Sequence, residues 1–216
     1  FTEFKSILEG RGLPASKVCA ELAADPWTLV NEPFGPETPG HRLWNKDAAR
    51  LAFPPKRGVF PMWEQMLRVV GRGLDGAVLR NEWCKTHGVR TGGDYLRYWA
   101  ASMFQRPIVS LPYLFFYSEE QKTGKSSFHE MLGMLMEPGY AIANEALENK
   151  NGFNGEIAGA VLCAADEIEL VKTRYKRMKM WTTSPWILIH PKGASAYKIR
   201  NSAHFIQTGN ALKDCP

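Results

Sequence analysis

The residues Thr123-Gly124-Lys125-Ser126, followed about forty positions later by Asp166-Glu167, carry the clearest chemical signal in this chain. A glycine-lysine turn that enters a helix curls successive backbone N–H groups into an anion nest, and the helix N-terminus adds its dipole. Lys125 can reach the outer phosphates of a nucleotide, and the adjacent hydroxyl of Ser126 can hold Mg2+. Thr123, Gly124, Lys125, Ser126 and Ser127 are therefore the candidate phosphate-binding residues, with ATP and Mg2+ as the implied ligands. Only the second half of the pattern G-x-x-x-x-G-K-[ST] is matched, because its first glycine falls at Glu119. The acids Glu119 and Glu120 are compatible with a triphosphate when they point outward and the backbone does the binding.

Asp166-Glu167 closes the apolar run "AGAVLCAAD" at 158–166. At the end of a buried strand, the first acid can hold Mg2+ through water and the second can polarise an attacking water as general base. Those roles fall to Asp166 and Glu167. "HFIQTGN" ends a further strand candidate in Thr208 and Asn210. An amide there can reach between the two acids and orient the water. A turn asparagine after a strand is the plainer reading of that stretch taken alone.

A third feature is charge. The chain carries a net +5, yet eight of its 27 basic residues lie between Lys172 and Arg200, a stretch without Asp or Glu. The other 19 face all 22 acidic residues, a net of −3. Such a local block suits a polyanion. Tyr175, Trp181, Trp186 and Tyr197 are interleaved with it and offer surfaces for unpaired bases to stack on. "HPKGAS" reads as a projecting tip that carries His190 and Lys192. The competing reading is a solvated basic face with the tryptophans in the core.

The elements that must position these residues follow from patterning. "YLFFY" (113–117) reads as a strand buried on both faces, and "SFHEMLGMLM" as an amphipathic helix. "WILIH" and "AYKIR", joined by "PKGAS", read as a hairpin. Before them, residues 1–60 read as irregular Pro/Gly-rich loops with aromatic anchors. Helical patterning begins near Pro61, with Met62, Met66, Val69 and Val70 on one face, and two more helices follow. Strand–turn–helix followed by buried strands predicts an α/β core with a mostly parallel sheet. We expect a loop-rich and helical region over 1–108 and a P-loop core over 109–216. With 216 residues, 44% of them hydrophobic, a sizeable core is available. No signal-peptide pattern and no apolar run near 18 residues is present, which predicts a cytoplasmic protein with no membrane partner. The absence of an initiator Met suggests a piece of a longer chain. Cys19, Cys84, Cys163 and Cys215 are scattered and read as reduced thiols, with Cys163 buried.

The order "YLFFYSEEQKTGKSSFHEML", "GFNGEIAGAVLCAADEIEL", "KMWTTSPWILIHPKG", "NSAHFIQTGN" resembles the superfamily 3 helicase domain of phage and viral primase-helicases, the poxvirus-type group. The helical front part resembles the region preceding the motor in such proteins. The resemblance implies an AAA+-type ATPase of bacterial or phage-infected cytoplasm that assembles into a ring, usually a hexamer. ATP then sits between subunits, hairpins pull single-stranded DNA, and a primase domain is fused or associated. It assigns phosphate and Mg2+ binding to Lys125 and Ser126, metal and base roles to Asp166 and Glu167, and the sensor to Asn210. It places Lys179 and Lys192 in the basic motif, with Lys192 at the hairpin tip. The family's arginine finger lies downstream of the Asn strand, and this sequence has six residues after Asn210, which implies ATP binding with slow hydrolysis by these residues alone. Two other classes fit parts of the pattern: a nucleotide-dependent DNA-binding or loading module that does not unwind, and a P-loop kinase or transferase acting on a small molecule.

Overall fold

The computed structural model describes residues 2–120 and 122–214. In chain order the helices and strands are α1 (Thr2–Gly10), α2 (Ala15–Ala24), β1 (Thr28–Leu29), β2 (Leu43–Trp44), α3 (Pro61–Gly71), α4 (Asp75–Arg80), α5 (Glu82–Thr86) and α6 (Gly92–Gln105). There follow β3 (Leu114–Tyr117), α7 (Lys125–Gly133), β4 (Tyr140–Ile142), α8 (Asn144–Glu148), β5 (Leu162–Asp166), α9 (Lys172–Thr183), β6 (Trp186–Ile189), β7 (Tyr197–Arg200) and β8 (His204–Gly209).

The central sheet is parallel, in the order β3-β8-β5-β4. Its inner strands, β8 and β5, are covered on both faces. Leu162 and Ile206 belong to a core built with Leu67 of α3, Leu96, Trp99 and Met103 of α6, and Phe128 and Leu132 of α7. Cys163, Ala165 and Phe205 belong to a second core with Trp181 of α9, Ala146 of α8, and Ile187, Ile189 and Ile199 of the β6–β7 hairpin. The period-2 alternation of strand side chains sends neighbouring residues into these different cores. The result is a mixed α/β fold with a four-stranded parallel sheet between two covering layers, an architecture compatible with a P-loop core.

Local chemistry explains the helical front. Pro61 opens α3 at a position where its missing N–H costs nothing. Thr91 and Asp94 form a capping box at the start of α6. The two helices meet at glycines: a Cβ on Gly92 would sit 1.8 Å from the Gly71 carbonyl oxygen. This close crossing brings Trp63 of α3 into a stack with Phe128 of α7, with ring centroids 6.3 Å apart. The front helices thus brace the helix that follows the candidate phosphate loop.

Several expectations change. Residues 2–10 and 15–24 are helical rather than irregular, because "TEFKSILEG" and "ASKVCAELAA" hold good helix formers outside the Pro/Gly-rich stretches. In α3 the inward residues are Leu67 and Gly71, with Trp63, Met66 and Val70 beside them, while Met62 and Val69 are exposed. β3 is an edge strand, buried at Leu114 and Phe116 only, so it is not covered on both faces. β6 and β7 form an antiparallel hairpin with Ile189 opposite Tyr197, in line with the sequence pattern. Cys163 is fully buried, and burial pushes its thiol far up; Cys215 lies outside the described residues. Among the described residues no helix is long and apolar enough to cross a membrane.

Candidate functional site

Three parallel strands end at one edge of the sheet. Tyr117 of β3 lies opposite Gly209 of β8, and Asp166 of β5 lies opposite Thr208. In open parallel sheets, ligands collect beyond these carboxyl ends. The chain leaving β3 turns into α7 through Gly124, at φ 85°, a conformation that a residue with a Cβ adopts only under strain. Lys125 is then the first residue of α7. Its Nζ donates to the carbonyls of Ser118 (2.9 Å) and Glu120 (3.3 Å) and to Asn210 Oδ1 (2.8 Å).

The acids meet this loop from β5. Ser126 Oγ donates to Asp166 Oδ1 at 3.1 Å, and the same oxygen accepts the Thr208 hydroxyl. Thr208 Oγ1 accepts the Glu167 backbone N–H at 3.2 Å. Asn210 Nδ2 donates to Glu167 Oε1 at 3.2 Å. Asn210 therefore bridges Lys125 and Glu167, and the strand order explains why: β8 lies between the loop strand and the acid strand. Glu167 itself sits at φ 50°, in the left-handed region. Strain of this kind persists only where the surroundings hold it, and it concentrates at functional sites. A cavity of about 360 Å3 opens over residues 123–127 and is completed by Lys122, Glu167 and Asn210. Glu119 accepts the Tyr117 hydroxyl at 2.6 Å, and both Glu119 and Glu120 are exposed, so neither lines this cavity.

Other residues reach the site from positions the sequence patterns left unmarked. Asn144 clamps the Asp166 backbone, accepting its N–H at 3.0 Å and donating to its carbonyl at 2.8 Å. This replaces the strand ladder beyond the end of β4. His129 of α7 is wholly buried, with Nδ1 2.8 Å from the Tyr140 hydroxyl and Nε2 3.6 Å from Asp166 Oδ1. Burial lowers its pKa, against the opposing pull of Asp166 and Glu130, so the ring is neutral. Burial first, and then the same two acids, push the Tyr140 hydroxyl up to about 12.

The donor set suits a phosphate-bound hard cation. The Ser126 hydroxyl and the Asp166 carboxylate are oxygen donors, and Mg2+ is held by one or two carboxylates plus substrate phosphates rather than by an all-protein cage. Among the described residues no three His, Cys, Asp or Glu side chains form such a cage. The Thr123 hydroxyl is buried in the loop with no hydrogen-bond partner among the described residues, as an atom awaiting a ligand oxygen would be.

Thr123, Gly124, Lys125, Ser126, Ser127, Asp166, Glu167 and Asn210 are thus brought together. Lys179, His190 and Lys192 are not among the residues lining this cavity. Lys179 is exposed on α9, and Lys192 is exposed on the turn between β6 and β7. His190 is not a projecting residue: it packs on Phe153 with ring centroids 4.8 Å apart, and its N–H donates to Asn154 Oδ1. The basic block divides further. Arg177 donates to the Ala146, Leu147 and Asn149 carbonyls at the end of α8, and Arg174 pairs with Glu148. Trp181 is buried, while Trp186 is exposed under Lys198, whose Nζ lies 5.5 Å from the ring centroid.

Residues 116–216 match the model of a family of unknown function (DUF5906). No curated protein matches the chain. Among solved structures, the chain is similar to the apo structure of the NrS-1 C-terminal region, with 21% identity, a TM-score of 0.57, and coverage of 85% of this chain and 43% of that one. The A form apo structure of the same region gives 19% identity and a TM-score of 0.59, with coverage of 85% and 42%. The chain spans less than half the length of these structures, and at this identity the likeness is one of fold.

Proposed function

We propose that this chain is the ATP-hydrolysing motor part of a replicative DNA helicase, with an AAA+-type P-loop core over 109–216 and a helical region over 1–108 in front of it. The observation that carries the proposal is the Asn210 bridge: one amide touches Lys125 Nζ at 2.8 Å and Glu167 Oε1 at 3.2 Å, beside the Ser126–Asp166 pair. A core strand that merely ended in charges would not interlock a cation, an acid pair and an amide around one cavity.

Each residue then has a task. The loop N–H groups and Lys125 bind the phosphates, so Lys125 exchanges its carbonyl and Asn210 partners for phosphate oxygens. Ser126 and Asp166 would hold Mg2+, which would offset the phosphate charge. Glu167 takes a proton from water as its oxygen attacks the terminal phosphorus, and the bond to the bridging oxygen breaks to leave ADP and phosphate. Asn210 orients the Glu167 carboxylate. Lys179 and Lys192, with His190 shaping the base of the β6–β7 turn, would engage single-stranded DNA. The same reading implies a homo-hexameric ring that supplies an arginine finger across subunits, a fused or associated primase domain, and a cytoplasmic location.

The test is ATP turnover measured with and without single-stranded DNA, in the wild type and in Glu167→Gln. Turnover that rises with DNA and is lost in Glu167→Gln, with ATP still bound, supports a DNA-coupled motor. Turnover indifferent to DNA overturns the motor reading in favour of a small-molecule phosphotransferase.

A further inference from the structure

His129 is a buried imidazole with no assigned part in phosphoryl transfer. It is 0% exposed, and its Nε2 has no hydrogen-bond partner among the described residues. A buried polar atom left unsatisfied is costly, which calls for an explanation. That atom faces Asp166 Oδ1 at 3.6 Å, and the other ring nitrogen is 2.8 Å from the Tyr140 hydroxyl.

The two contacts select one tautomer. If Nδ1 carried the proton, the Nε2 lone pair would be set against the negative charge of a carboxylate oxygen. With the proton on Nε2, the Tyr140 O–H donates to Nδ1 and the Nε2–H is aimed at Asp166. Of the two neutral forms, only this one gives Nδ1 a donor and turns an N–H rather than a lone pair towards the carboxylate.

We infer that His129, held as its Nε2–H tautomer by Tyr140, is a positioning residue that fixes the Asp166 carboxylate for Mg2+ bound with a nucleotide. This rests on the nucleotide-site reading above. Its physical content is a third donor behind Oδ1, which already accepts the hydroxyls of Ser126 and Thr208. Among the described residues Oδ2 has no side-chain partner. Closing the 3.6 Å gap by about 0.5 Å makes an ordinary N–H···O bond. Outer-shell partners of this kind change metal affinity about 10- to 100-fold when removed.

The experiment is a titration of Mg2+ against the fluorescence of an N-methylanthraniloyl-ATP complex of the purified chain, with nucleotide affinity measured separately in EDTA. In His129→Leu the Mg2+ concentration at half-saturation is expected to rise about ten-fold, with the EDTA affinity unchanged. His129→Gln, whose amide N–H can take the place of Nε2–H, is expected to restore most of that loss. Tyr140→Phe leaves no cavity and frees the tautomer. It is expected to raise the half-saturation several-fold even if His129→Leu fails to fold. An unchanged Mg2+ half-saturation in Tyr140→Phe, or a loss in His129→Leu that Gln does not recover, would overturn the proposal and leave His129 a core residue. A wild type that binds no nucleotide would instead overturn the site reading itself.

Discussion

Replacing Glu167 by alanine and by glycine separates the work of its carboxylate from the strain of its backbone. Both variants lose the carboxylate and its hydrogen bond from Asn210, so both are expected to lose turnover. They differ only in the Cβ. At φ 50° a residue with a Cβ costs about 1–2 kcal/mol, which glycine avoids. Glycine in turn loses about 0.5–1 kcal/mol through the greater freedom of its unfolded chain. At the midpoints of those ranges Glu167→Gly is more stable than Glu167→Ala by about 0.75 kcal/mol, the reverse of the usual order. For a domain of this size that is a rise in Tm of about 1.5–3 °C. Thermal unfolding followed by circular dichroism reads it directly. Alanine equal to or more stable than glycine would show that the backbone here is relaxed and that the fold does not strain Glu167 into place.

Other outcomes follow from the same geometry. Thr208→Val keeps the shape but removes the hydroxyl that serves Asp166 and the Glu167 N–H, and unfolding should show a loss of about 1–3 kcal/mol. His204 at the start of β8 is buried beside Trp99, and burial lowers its pKa to about 4 from an ordinary 6.5. The unfolded chain binds its proton first, so stability is complete above pH 6.5 and falls by up to about 3 kcal/mol as the pH drops towards 4. His129 acts in the same direction. Urea midpoints measured across that range in the wild type and in His204→Leu check this, because the variant should show a shallower slope. Lys192→Ala should weaken single-stranded DNA binding and reduce its salt slope by about one, and an unchanged slope would remove the turn from the interface.

The glycine-lysine turn and the acid pair at the end of β5 were legible because their signals are local. A nest needs glycine and lysine in sequence, and an acid at a strand end shows where an apolar run stops. Asn210 was less legible, because its meaning comes from β8 lying between β3 and β5, which no local pattern encodes. His129 and Tyr140 were missed for a related reason. The histidine sits in an amphipathic helix where it reads as one more polar residue, and its partner belongs to β4, three residues too short to show alternation. Asn144, which clamps Asp166, lies just beyond that same strand. The basic block was legible as charge but not as structure: most of it is helix α9, where Arg174 and Arg177 tie down α8. Composition counts charges, but only packing separates those that bind neighbours from those left exposed.

The central claim is that Lys125 lies in a nucleotide phosphate site, and the most direct measurement is equilibrium binding of ATP to the wild type and to Lys125→Ala. Lys125 is only partly buried, and its three partners are two carbonyls and an amide, so the variant should fold with a Tm near that of the wild type. Loss of a charge-assisted contact to phosphate is worth about 2–3 kcal/mol, or a fall in affinity of about 30- to 150-fold. A folded Lys125→Ala that binds ATP as tightly as the wild type would contradict the account.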